Sequence, residues 1–109
     1  MRYFGFTPSD PSAPPPTPDL YERMGEFMEE ASKAGVLLVA GGLGPSEESF
    51  RVKLADGEYT LTDGPFTEAK ELVGGWGVLD CRDKAEAVEW VKRFLAVGGG
   101  GESTVWPIQ

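Results

Sequence analysis

The chain has no histidine and a single cysteine, Cys81, among its 109 residues. Without histidine, Ser-His-Asp and Cys-His nucleophilic arrangements are excluded, and so are histidine-based zinc sites and the usual proton shuttle near neutrality. Acid–base work would fall to Asp, Glu, Lys, Tyr or Cys with displaced pKa values. One cysteine cannot close an intrachain disulfide, so the cytoplasm is the expected location. Basic residues are scarce as well: 10 Lys and Arg stand against 18 Asp and Glu, a formal net charge of −8. A field of that sign repels phosphate backbones and anionic lipid, and no run of Lys or Arg offers a local exception. Neither nucleic acid nor membrane is an expected partner. Long apolar runs are missing too, which excludes a membrane-spanning helix, and Met1–Phe6 reads as a strand rather than a signal peptide. Asp56, Asp63, Asp80 and Asp83 show no metal-loop spacing, and transition metals lack the nitrogen and sulfur ligands they prefer. No metal and no cofactor is expected.

What is plentiful is glycine, 15 residues, and proline, 9. Both cluster, leaving clean periodic segments between, so the pattern predicts ordered elements with long connections. The length suits one domain over 1–109 with one core. Residues 2–6 form an aromatic-rich first strand, and a Pro-rich loop follows over 7–17. That run could serve as a polyproline ligand, but a surface loop stiffened by proline explains it without one.

Thr17-Pro18 opens a helix as N-cap and first helical residue, and Leu20, Met24, Phe27, Met28 and Ala31 form its apolar stripe. Gly35 ends it in the left-handed conformation. Val36–Ala40 is apolar without alternation, which predicts a strand covered on both sides, one by the helices and the other by a partner. The glycine-rich loop 41–46 lacks the Gly-Lys-Ser/Thr ending of a phosphate loop. Phe50–Leu54 alternates, Asp56-Gly57 turns, and Tyr59–Thr62 returns: a hairpin with Phe50, Val52 and Leu54 on one face and Arg51 and Lys53 on the other. Asp63-Gly64-Pro65-Phe66 breaks the strand ahead of a short helical turn over 67–71. A strand over 74–81, a helix opened by the capping box Asp83…Glu86, and a last strand over 104–108 complete the chain. Ala87, Val88, Val91, Phe94 and Leu95 are the expected buried side of that helix. The order β-α-β-hairpin-β-α-β gives an α+β fold, a ferredoxin-like split β-α-β sheet with an inserted hairpin.

Ala34–Leu38, Gly42-Leu43-Gly44-Pro45, Thr62–Leu72, Gly74-Gly75-Trp76 and Glu86–Trp90 together resemble the YCII-related family in its DGPF form. Thr62–Glu71 is the specific part. The resemblance implies a ferredoxin-like fold pairing as a dimeric α/β barrel, hence a homodimer. It also implies a place near extracytoplasmic-function sigma factors for some members, a His–Asp pair in a cleft for others, and lyases and monooxygenases among related barrels. This chain departs from the pattern in having no histidine, and in reading Ala40-Gly41-Gly42-Leu43 where relatives often carry an acidic residue.

Asp63 is the candidate functional carboxylate, with Lys70 as a second catalytic candidate. Asp63, Gly64, Pro65, Phe66, Glu68 and Lys70 form the candidate binding segment. Against this stands the structural reading, in which Asp63 caps the turn, Gly64 permits the bend, and Glu68, Lys70 and Glu71 form a solvated face. Cys81 has no visible activation and is expected as a small buried apolar residue. Trp76, Trp90 and Trp106 could stack a ligand, but with two in strands and one on a helix they are expected in packing. Two functions stay open: a small-molecule-binding or regulatory module linked to sigma-factor pathways, and a lyase- or monooxygenase-like enzyme using a carboxylate and a Lys or Tyr in a barrel cleft.

Overall fold

Helix formation follows the local chemistry of the chain. In the computed structural model, which describes residues 1–10, 12, 14–66 and 73–109, helix α1 spans Pro18–Lys33. The Thr17 hydroxyl accepts a hydrogen bond from the Leu20 amide at 3.2 Å, satisfying one orphan donor of the first turn. Gly35 follows with φ +75°, the left-handed position that glycine takes without a Cβ penalty. Helix α2 spans Lys84–Gly98, and Asp83 Oδ1 accepts from the Glu86 amide at 2.9 Å. The reciprocal half of the box is displaced by one residue, because Glu86 Oε1 takes the amide of Arg82 rather than that of Asp83. Gly98 is the last helical residue and Gly99 the left-handed cap, one position later than the glycine run predicts.

Six strands are present among the described residues: β1 (Arg2–Thr7), β2 (Leu37–Gly42), β3 (Phe50–Ala55), β4 (Glu58–Asp63), β5 (Gly75–Asp80) and β6 (Thr104–Pro107). Four form one sheet in the order β2-β5-β1-β6, every neighbouring pair antiparallel. Each helix thus joins two strands that have a third between them. Pro107 ends β6 at the sheet edge, where its missing amide removes no central ladder bond. Thr7 belongs to β1, so the Pro-rich segment begins at Pro8.

Strands β3 and β4 pair with each other alone, in register Phe50↔Asp63 to Ala55↔Glu58. Asp56 and Gly57, at φ 52° and 77°, make the two-residue turn that matches strand twist. Every residue of this hairpin is exposed, including Phe50, Val52, Leu54, Tyr59 and Leu61 on its apolar side.

The core lies between the helices and one face of the four-stranded sheet. Tyr3, Val36, Cys81 and Ala87 are buried together, with Leu79, Trp90 and Val105 packed against them. Phe27 and Ala31 contribute the buried stripe of α1. Two expectations are corrected here. Val88 is 39% exposed, because Trp90 takes the inward position on α2 against Phe27. Trp106 is 63% exposed rather than packed, since it sits opposite Phe4 on the sheet face turned away from the helices.

That outer face carries Phe4, Phe6, Trp76, Val78, Val39 and Trp106, by the alternation of each strand and the register between them. Phe4 and Trp76 stack with ring centroids 6.2 Å apart. Leu38, at the bulge in β2, and Val39 are 45% and 49% exposed. Thus none of the described residues covers the Val39 side of β2, and Ala40 on the helix side is exposed as well.

Candidate functional site

Opposite faces of β1 and β5 carry different kinds of side chain. On the helix side the register pairs Tyr3 with Leu79, then Gly5 with Gly77, then Thr7 with Gly75. Past the first pair, β1 and β5 therefore offer the helices only the Thr7 side chain, with Val105 of β6 and Leu37 of β2 flanking the bare stretch. Ala40 of β2, which pairs with Gly77, adds only a methyl group. The helices do not descend into the gap. A cavity of about 580 Å³ remains between the two layers.

Its walls are apolar and largely aromatic: Phe27 and Met28 from α1, Trp90 and Phe94 from α2, Leu37 from β2. Phe27 lies 6.1 Å from Trp90 and 6.4 Å from Phe94, centroid to centroid. On the solvent side the Arg93 guanidinium stacks over Trp90 at 4.7 Å and pairs with Glu30 across the two helices. These contacts hold the aromatic wall in place. Polar atoms at the cavity are concentrated at one end, where Thr7 Oγ1 and Ser103 Oγ lie 2.7 Å apart in a hydrogen bond. Among the described residues no Asp, Glu, Lys, Arg, Tyr or Cys lines the space. Such an arrangement can bind and orient an uncharged molecule. It supplies no group for proton transfer near neutral pH.

The segment singled out in the sequence lies elsewhere, at the base of the hairpin. Asp63 is the last residue of β4 and is exposed. Its carboxylate makes no hydrogen bond or ion pair among the described residues, and the Phe66 amide is not capped by it. Gly64 is tightly built in: its amide donates to Ser49 O at 2.7 Å. A Cβ there would collide with Ser49 Oγ and Ser46 O. The glycine is needed because the turn Ser46–Glu48 presses on it. Pro65 is exposed, and Phe66 lies under the Arg51 guanidinium at 4.1 Å. None of these four residues lines the cavity. Glu68 and Lys70 lie outside the described residues, as does the predicted helical turn over 67–71.

Cys81 is 3% exposed in the core beside Tyr3 and Ala87. Burial, reinforced by the negative charges of Glu86 and Asp80, pushes its thiol above the ordinary value. The protonated thiol is therefore favoured. No group of three or more potential metal ligands occurs among the described residues, and none of their helices is long and apolar enough to cross a membrane.

A four-stranded antiparallel sheet backed by two helices, with a hollow between the layers, defines a small α+β domain. The chain belongs to the YCII-related domain family, whose model matches residues 1–108. Among solved structures, it is similar to 5-chloro-2-hydroxyhydroquinone dehydrochlorinase (TftG) from Burkholderia phenoliruptrix AC1100, in complex with 2,5-dihydroxybenzoquinone. The likeness covers 100% of this chain and 94% of that one, with a TM-score of 0.50 and 14% sequence identity. At that identity the likeness concerns the fold. No curated protein matches the chain in sequence.

Trp76 and Trp90, which the sequence offers as rings able to stack a ligand, line the cavity, whereas its other residues are of no chemically distinctive type. A signal was nonetheless present: single glycines at 5 and 77 interrupt two otherwise good strand sequences.

Proposed function

We propose that the protein is a small-molecule-binding domain of the DGPF kind, one ferredoxin-like unit over 1–109, acting as a homodimer that closes an α/β barrel. The observation that carries the binding role is the apolar cavity under α1 and α2, whose volume falls within the usual range of roughly 300–1,000 Å³ for small-molecule sites. The strand order and the split β-α-β connections support the ferredoxin-like reading. Uncovered Phe4, Phe6, Trp76, Val78, Val39 and Trp106 support the dimer, because an apolar patch of that extent is unusual on a monomer. A place in a sigma-factor pathway and a cytoplasmic location rest on the resemblance and the composition alone.

The enzyme reading keeps Asp63 and Lys70 as its acid–base pair in a cleft of the dimer. The cavity favours binding over chemistry, since the described residues around it carry no titratable side chain. Thermal shift measurements against a panel of small molecules, on wild type, Val91→Trp and Asp63→Asn, separate the two. The expected result is ligand stabilisation that disappears when Val91→Trp fills the cavity and survives Asp63→Asn. Stabilisation lost only in Asp63→Asn would reject the cavity and favour the cleft.

A further inference from the structure

Glycine inside a strand needs a reason, because it costs backbone entropy and contributes no packing. Crowding explains some of the glycines here. A Cβ at Gly74 would lie 2.7 Å from the Ser9 amide nitrogen, and one at Gly41 would lie 3.1 Å from the Trp76 ring. Gly5 and Gly77 have no such reason. Neither has a positive φ. At Gly5 the nearest atom to an added Cβ is Val105 Cγ2 at 3.7 Å. At Gly77 the nearest are Leu37 Cδ1 and Val39 O, both at 3.5 Å, ordinary van der Waals contact. Alanine would fit either position in the empty protein. Yet the two glycines face each other across the central strand pair, and both floor the cavity.

We propose that Gly5 and Gly77 keep a flat floor clear for the ligand, and that this ligand is an uncharged planar aromatic molecule with one polar substituent. The proposal rests on the cavity being the ligand site and names what it selects. Planarity follows from the geometry: the bare Gly5–Gly77 pair below, flanked by Leu37 and Val105, and the rings of Phe27, Trp90 and Phe94 lining the helix side. Aromatic rings gain from stacked or tilted contacts of that kind. Neutrality follows from the lining, because a charge moved into a hollow without a counter-charge carries a large desolvation cost. The single polar substituent follows from Thr7 and Ser103. One of their hydroxyls is spent donating to the other, which leaves one free donor and acceptor lone pairs at that end. A carbonyl or hydroxyl on the ring edge matches what remains.

The test uses N-phenyl-1-naphthylamine, an uncharged fluorescent aromatic, and 8-anilino-1-naphthalenesulfonate, a similar ring system carrying a sulfonate. Both are titrated into wild type, the Gly5→Ala/Gly77→Ala double variant and Val91→Trp, with melting temperatures recorded for each. The expected outcome is that the uncharged probe binds wild type at least tenfold more tightly than the sulfonate. The double variant should melt no lower than wild type and bind the uncharged probe at least tenfold more weakly. Equal affinity for both probes would overturn the selection for neutrality. Unchanged affinity in the double variant, with loss in Val91→Trp, would overturn the floor while leaving the cavity as the site. Binding unaffected by either change, or no binding to wild type, would reject the cavity and the floor together. If the double variant folds poorly, Gly5→Ala alone gives the same comparison, since its Cβ has the looser surroundings.

Discussion

The two faces of the four-stranded sheet are furnished in reverse of their cover. At the cavity, beneath the helices, stand Gly5, Ala40, Gly75 and Gly77, with Leu37, Leu79 and Val105 at its margins and Tyr3 beyond, whereas the other side carries Phe4, Phe6, Trp76 and Trp106. Burial normally draws large apolar side chains inward, because each removes the most area from water. A covered face lined with small residues leaves a hollow, and an open face lined with large ones leaves a patch. Both departures are economical if something outside the chain completes them. On the proposed reading the hollow takes a small molecule and the patch a second copy. Neither surface alone needs chemistry to explain it.

The sharpest way to break that comparison is to place one charge on each face. Ala31 is 3% exposed under the helix layer and Val39 is 49% exposed on the outer face. Ala31→Asp buries an unpaired carboxylate and should lower the unfolding free energy by more than about 3 kcal/mol in a urea melt. Val39→Asp should cost the isolated chain less than about 1 kcal/mol. It should instead raise the dimer dissociation constant at least a hundredfold by light scattering, through an unpaired charge at the interface core. A wild type that is monomeric at micromolar concentration would end the dimer reading. Equal losses of stability in the two variants would show that the faces are not different in kind.

A smaller effect separates the two aspartates that follow strands. Asp83 accepts the Glu86 amide at 2.9 Å, so Asp83→Ala should cost about 0.5–2 kcal/mol, with Asp83→Asn recovering most of it. The Asp63 carboxylate has no partner among the described residues, so Asp63→Ala should cost less than about 0.5 kcal/mol. Denaturant melts of the three variants decide this. A loss at Asp63 matching that at Asp83 would restore the capping role that the Asp-Gly-Pro sequence suggests.

Elements with local signals are legible in the sequence. Thr17-Pro18, Gly35, Asp83…Glu86 and Asp56-Gly57 each act within a few residues, and each takes the conformation its chemistry dictates. The uncovered side of β2 was legible because Val36–Ala40 has no polar alternation. The cavity was not legible, since it depends on which residues register places opposite one another across β1 and β5. Gly5 and Gly77 are 72 positions apart in the chain, and only the antiparallel pairing brings them together. The attention that Asp63–Phe66 draws reflects a real constraint, the close approach of Gly64 to Ser46 and Ser49. That constraint concerns how the hairpin joins the body of the fold. It places none of the four residues at the cavity.

The smallest expected effect tests whether the covered face is sealed where it is not hollow. Cys81 closes the core beside Tyr3, and burial holds its thiol above its ordinary value. In the unfolded chain the thiol ionises near its ordinary value, while in the folded chain it stays protonated at that pH. The folded state then binds more protons, so its stability falls as pH rises past that value and continues to fall through the raised folded pKa. Below that window Cys81 adds no pH dependence. Urea melts of wild type and Cys81→Ala at pH 8 and pH 10 isolate the contribution, because the other titrating groups are common to both. Wild type should lose more stability than the variant between the two conditions. Its thiol should also react with a disulfide reagent at pH 8 only at the rate at which the core opens. Identical losses in the two proteins, or immediate reaction of the folded chain, would mean that water reaches Cys81. The end of the core beside Tyr3 and Ala87 would then be open to solvent.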